Sequence, residues 1–248
     1  MGAEAPALEY PANEASRLAA IRRYDVLDTP PDGAFERVTR LAARLLGTPI
    51  ALVSIVDEDR IWFKSKYGLD IDQIDRAPGL CASAILHDKP WIVSNARNDP
   101  RTLANPLVAS SFGLQFYAAA PLRTHDGYNL GTLCVIDRAP REVDSEEKQI
   151  LIDLAAIVID ELELRLAARK VTAAADERVV MTHRRQRQAI QLNDDVVQSL
   201  AVAKLALDMG EVEQAAGRVT MALDASKRLL SAMGEDAPTL RREATTTS

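Results

Sequence analysis

The sequence predicts an α+β chain: an α/β sandwich with a central antiparallel sheet, then a long helix and a two-helix antiparallel hairpin. Two observations carry this. Every tryptophan, phenylalanine and tyrosine lies at or before Tyr128, and beyond Gly131 the only glycines are Gly210, Gly217 and Gly234. Turn and strand punctuation therefore fills the first part and helical composition the last. Within the first part, β-branched runs joined by tight polar turns alternate with helical periodicity, the pattern of an antiparallel sheet carrying helices on its faces.

Residues 14–24 read as a short amphipathic helix, and the DTPPD segment after it stops helix propagation with its prolines. Asp32 is placed to cap a helix from Gly33 to Leu46, with Phe35, Val38, Leu41, Ala42 and Leu45 on one face and Gly47 as its end. Pro49–Val56 is a β-branched run, Asp57-Glu58-Asp59 a polar turn, and Arg60–Tyr67 an alternating return strand, which together make a hairpin. Pro78–His87 is expected as a helix and Trp91–Val93 as a short strand. Asn95–Ser111 is expected as an irregular loop with one helical turn. Gln115–Arg123 and Asn129–Asp137 are further strands joined through Asp126-Gly127, a strong turn signal.

From Asp144 the period changes to that of a helix. Ile150, Leu151, Leu154, Val158, Leu162 and Leu166 recur at spacings of three and four. Such a seam on a helix leaving a domain predicts an interface with a second copy, with Leu154, Val158 and Leu162 at its centre. Leu192, Val196, Leu200, Ala203 and Leu207 give one further stripe, and Val212, Ala216, Val219, Leu223, Leu230 and Met233 another, with Gly210 at the reversal. A hairpin this size has a poor core alone, so a four-helix bundle between two chains is expected, adding Leu200, Leu207 and Leu223 to the homodimer interface. The expected layout is a disordered 1–13, a sensory domain over 14–165, a helical linker over 166–190, the hairpin over 191–234 and a disordered tail over 235–248.

The 248 residues are 47% hydrophobic and 27% charged, with net charge −6, an ordinary globular composition. Acidic balance disfavours nucleic acid and anionic membrane as partners. No apolar run is long enough to span a bilayer, and the N-terminus has neither the basic start nor the apolar core of a secretory signal; a cytoplasmic location is expected. Cys81 and Cys134 lack a CxxC spacing, so two free thiols are the default, Cys134 as a buried structural one. His87, His125 and His183 are scattered and define no metal site.

The segments YDVLDTPPDGAFERVTRLAARLLGTPIALVSIVDEDRIWFKS, NDPRTLANPLV and LQFYAAAPLRTHDGYNLGTLCVIDRAPR strongly resemble a GAF domain of the bacterial subfamily found beside kinases and cyclic-dinucleotide enzymes. The resemblance, over about Leu18 to Arg165, implies a five- or six-stranded antiparallel sheet with helices on one face and a small-molecule cavity on the other. Leu80 before Cys81, and Thr102 after Asp99-Pro100-Arg101, depart from the usual residues at the pocket edge, so ligand identity and cofactor stay unknown. The candidate pocket residues are Cys81, Asp99, Arg101, Asn105, Phe116 and Tyr117. Asp99 and Arg101 can equally pair with each other, and Asn105 can cap a loop. Cys81 lacks the context of a bilin attachment site.

LNDDVVQSLAVAKLALD from Leu192 resembles the dimerisation and phosphotransfer helix of histidine kinases. Aligned there, the phosphoaccepting histidine falls on Asn193, whose amide cannot form a phosphoramidate, and Asp194 has nothing to activate. No glycine-rich ATP site follows. The resulting expectation is a non-catalytic, homodimeric sensor for a small molecule or partner, acting on a histidine kinase or response regulator in trans. The alternative is a thiol-dependent redox enzyme of the methionine sulfoxide reductase type using Cys81 and Cys134.

Overall fold

A computed structural model describes residues 10–77, 79–103 and 105–234, the side chains of 229 and 232–234 excepted. The expected disorder at 1–9 and 235–248 lies outside the described residues; Tyr10 stacks on Arg76, its ring centroid 4.4 Å from the guanidinium. The chain divides into two compact units, 1–169 and 170–248.

The first unit is built on a six-stranded, wholly antiparallel sheet. Its strands are β1 (Ile50–Val56), β2 (Arg60–Tyr67), β3 (Gln73–Asp75), β4 (Trp91–Val93), β5 (Phe116–Arg123) and β6 (Asn129–Asp137), in spatial order β3-β2-β1-β6-β5-β4. Around it run α1 (Glu14–Tyr24), α2 (Gly33–Leu45), α3 (Leu80–Ala84), α4 (Pro106–Ala109) and the start of α5 (Ser145–Asp208). The central strands β1 and β6 are buried along nearly their whole length. Both faces of the sheet must therefore be covered.

Successive side chains of a strand point to opposite faces, and two cores follow. On one face α1, α2 and α5 pack over Ala51, Val53, Ile55, Leu133 and Val135. On the other, α3, α4 and their loops pack over Ile50, Leu52, Tyr117, Ala119, Cys134 and Ile136. The seam of α5 belongs to the first core: Leu151, Leu154, Val158, Leu162 and Leu166 are all buried there. This corrects the expected dimer role of Leu154, Val158 and Leu162. Each is spent against its own sheet, where a fully buried aliphatic side chain contributes about 1.5–3 kcal/mol.

Asp32 caps α2, its Oδ1 accepting from the Ala34 N–H at 3.2 Å, and also ties α2 to neighbouring elements. Its carboxylate meets Lys64 of β2 at 3.1 Å and Arg165 of α5 at 2.8 Å. Phe35, Val38 and Ala42 are buried as expected, whereas Leu41 and Leu45 face solvent, so the apolar stripe of α2 is narrower than its sequence suggests. Gly131 has room for no side chain, since a Cβ there would lie 1.8 Å from the Ser54 carbonyl oxygen of the paired strand.

In the second unit α5 continues without a break through the expected linker to Asp208, and α6 (Val212–Gly234) follows a short turn with Gly210 at φ 78°. The residues buried here are alanines: Ala203, Ala206, Ala215, Ala222 and Ala225. Leu200, Leu207 and Leu223 are exposed. Among the described residues, no helix is long and apolar enough to cross a membrane.

Candidate functional site

The face of the sheet opposite α1, α2 and α5 carries a cluster of polar and sulfur side chains within an apolar core. Strand pairing sets Leu52 beside Cys134 and Ser54 beside Thr132, so Ser54, Thr132 and Cys134 share one face of the β1–β6 ladder. Tyr117 arrives from β5 and Cys81 from α3. The two sulfurs are 4.0 Å apart, and the Tyr117 hydroxyl donates to the Cys81 Sγ at 3.3 Å. Ser54 and Thr132 join hydroxyls at 2.9 Å. All five residues are buried, and Trp91 closes the cluster edge-on to Tyr117 with ring centroids 5.6 Å apart.

This grouping splits the two thiols electrostatically. Hydrogen bonding from the Cys134 thiol lowers the Cys81 thiol below its ordinary value, with burial opposing and the Ser54, Tyr117 and Thr132 hydroxyls adding to the lowering. The same contact, with burial, pushes Cys134 well above the ordinary range. Burial also pushes the Tyr117 phenol up, so it stays a donor.

A cavity of about 360 Å³ is lined by Ile74 and Asp75 of β3, Ala77, Gly79, and Pro106 and Leu107 of α4. Its size and mostly apolar walls suit a small molecule. Ile74 and Leu107 also pack on the second core, the one that holds Cys81 and Cys134.

Of the six residues proposed for the pocket, the structure brings Cys81 and Tyr117 together and disperses the rest. Phe116 points to the opposite face, into the core beneath α1, α2 and α5, because β5 alternates there. Asp99 and Arg101 pair with each other at 2.5 Å. Arg101 also donates to the Ile92 carbonyl at 2.8 Å and stacks on Trp91. Asn105 caps α4, accepting from the Leu107 N–H at 2.9 Å. These contacts brace the loop. Asn193 and Asp194 are exposed on α5. Cys134 was expected as an inert structural thiol, and 53 positions of chain separate it from its partner Cys81, too far for a local signal.

A second cluster also escaped sequence reasoning. Arg17 and Arg76 are both 1% exposed. Arg17 donates to the Val56 carbonyl at 2.6 Å and through Nε and Nη2 to Glu14 at 2.7 Å. Arg76 donates to the Asp57 carbonyl at 2.8 Å and to Glu14 at 2.5 Å. Burial pushes the Glu14 carboxyl up, but hydrogen bonds from Arg17 and Arg76 outweigh it and hold it at about 2.

The GAF domain family matches residues 30–162, and the chain belongs to it. A cyclic di-GMP phosphodiesterase of Pseudomonas aeruginosa is 46% identical over 132 residues, 53% of this chain and 22% of that enzyme. The chain thus spans less than a quarter of that relative's length. The chain is also similar to solved structures. Free methionine-R-sulfoxide reductase from Neisseria meningitidis has a TM-score of 0.46 at 19% identity, covering 65% of this chain and 98% of that one. The GAF domain of an Acinetobacter phosphoenolpyruvate-protein phosphotransferase also has a TM-score of 0.46, at 14% identity, covering 64% and 97%.

The phosphodiesterase corrects the expected function. A non-catalytic sensor was expected from the missing histidine and ATP site, and a thiol redox enzyme, from Cys81 and Cys134, as its alternative. The relative that shares 46% of the matched segment is named as an enzyme of cyclic di-GMP, and neither expectation describes it.

Proposed function

We propose that this chain works in cyclic di-GMP breakdown, with its GAF unit sensing a small molecule and setting phosphodiesterase activity. The 46% identity to a cyclic di-GMP phosphodiesterase over 132 residues carries the reading. The cavity between β3 and α4 supports it, because a ligand bound there would touch both elements. Deleting the coding sequence in its native host should raise intracellular cyclic di-GMP. An unchanged level contradicts the proposal.

The hairpin is read as the assembling element of a homodimer. Its buried positions are alanines, while Leu200, Leu207 and Leu223 stay at about half exposure or more (48%, 55% and 54%), an apolar surface that a second copy would cover. The likeness of its DDVVQSL segment to a kinase dimerisation helix supports the same role. Asn193 stands where that helix needs a nucleophilic ring nitrogen, so the likeness extends to assembly and not to phosphotransfer. A histidine kinase or response regulator is the partner class that such a hairpin suits.

A further inference from the structure

We infer that α5 carries a heptad seam from Val179 to Leu207 that pairs, parallel and in register, with the same seam of a second copy, and that Asn193 fixes the register. The inference rests on the reading of the chain as a homodimer and adds the helix, the face and the direction of the pairing. It starts from one row of side chains. Val179, Ile190, Val197, Leu200 and Leu207 fall on the a and d positions of a single heptad frame that runs unbroken through α5. Ile190 and Val197 are β-branched at a, and Leu200 and Leu207 stand at d, the choice that favours two parallel strands. All five are between 48% and 58% exposed in the chain alone. Burial on this stretch of α5 falls on Ala203 and Ala206, beside the row and not on it.

The same frame places His183, Gln186, Asn193 and Lys204 in the seam. A purely apolar partner would strand these four, whereas a second copy matches them. Parallel pairing in register sets every position against itself, so each apolar side chain meets an apolar one. His183, Gln186 and Asn193 can each both donate and accept a hydrogen bond, so each can bond its own counterpart. Lys204 is the like-charged layer; its long stem carries the ammonium toward Asp208, 3.9 Å away, and out to water.

Other arrangements fit worse. A slip of one heptad sets Asn193 against Leu200 of the partner subunit and Val197 against Lys204 of the partner subunit, leaving an amide buried without a bond. An antiparallel pairing that keeps like against like covers only Ile190 to Leu207 and leaves Val179 outside. The in-register parallel pair uses the whole row. Asn193 sits near the middle of it, where a polar side chain costs affinity and selects one register.

The test uses the purified full chain with one added thiol at either end of the row, Val179→Cys or Leu207→Cys. Each should form a cross-link between the two copies of the substituted position on mild oxidation, and peptide mapping without reduction separates that link from any at Cys81 or Cys134. Asn193→Leu should tighten the dimer by roughly tenfold in sedimentation equilibrium, because an amide leaves the seam, and Asn193→Asp should loosen it. Both positions given thiols are exposed in the chain alone, so helical content should stay unchanged. A wild-type chain that is monomeric at micromolar concentration would overturn the homodimer reading and this inference together. A dimer in which either thiol variant fails to cross-link to itself, or whose affinity ignores Asn193→Leu, would overturn the parallel register alone.

Discussion

The buried Arg76 guanidinium donates to the half-buried Glu14 carboxylate at 2.5 Å across 62 positions of chain. It joins α1 to the segment after β3, and Arg17 completes the group by binding the last carbonyl of β1. One carboxylate thus compensates two buried guanidiniums.

Removing that carboxylate leaves both arginines uncompensated in the interior. Glu14→Gln should cost about 2 kcal/mol of stability, less than the roughly 3–5 kcal/mol of a fully buried pair because Glu14 is itself partly in solvent. The denaturation midpoint in urea measures it, and Glu14→Asp should recover only part of the loss because its shorter side chain cannot span both guanidiniums.

Acid should act through the same group. Glu14 and Asp32 are each held at about 2 in the folded chain, against ordinary values of 4.5 and 3.8. For Asp32, burial raises the carboxyl and hydrogen bonds from Arg165 and Lys64 more than reverse it. A depressed carboxylate stabilises fully above its unfolded value and loses that stabilisation as pH falls through the folded one. Thermal midpoints should therefore hold down to about pH 4.5 and drop toward pH 2, and the drop should be shallower in Glu14→Gln.

Gly131→Ala tests the sheet. The added methyl would meet the Ser54 carbonyl oxygen at 1.8 Å, and backbone cannot step aside as a flexible side chain can. The variant should lose about 3 kcal/mol, the upper part of the usual range for overpacking. Urea melts check this.

Leu207→Asp with Leu223→Asp tests the hairpin. Both side chains are exposed in the chain alone, so the pair of changes should leave the helical content intact. Sedimentation should show a dimer for the wild-type chain at micromolar concentration and a monomer for the double variant.

The strands that run through the centre of the sheet were legible because Pro49–Val56 and Asn129–Asp137 are dense in β-branched and aliphatic residues. β3 was not. Its three residues, Gln73 to Asp75, carry no apolar run and exist as a strand by edge pairing to β2. The faces of β5 were also hidden, since Phe116 and Tyr117 are both buried, and a strand covered on both sides shows no polar alternation. Likewise a stripe such as Leu154, Val158 and Leu162 states that one helix face is covered, but is silent on whether a sheet or a second chain covers it. The thiol cluster depended on register: Cys134 meets Cys81 only once β6 pairs with β1 and α3 lies over the same face.

The account's central claim is tested most directly by exchange. The Pseudomonas aeruginosa phosphodiesterase would carry residues 30–162 of this chain in place of its own matching segment, and hydrolysis of cyclic di-GMP would be measured. The expected result is retained hydrolysis that falls when Gly131→Ala is placed in the transplanted unit. A folded hybrid with no hydrolysis, or one indifferent to that change, would contradict a GAF unit that sets phosphodiesterase activity.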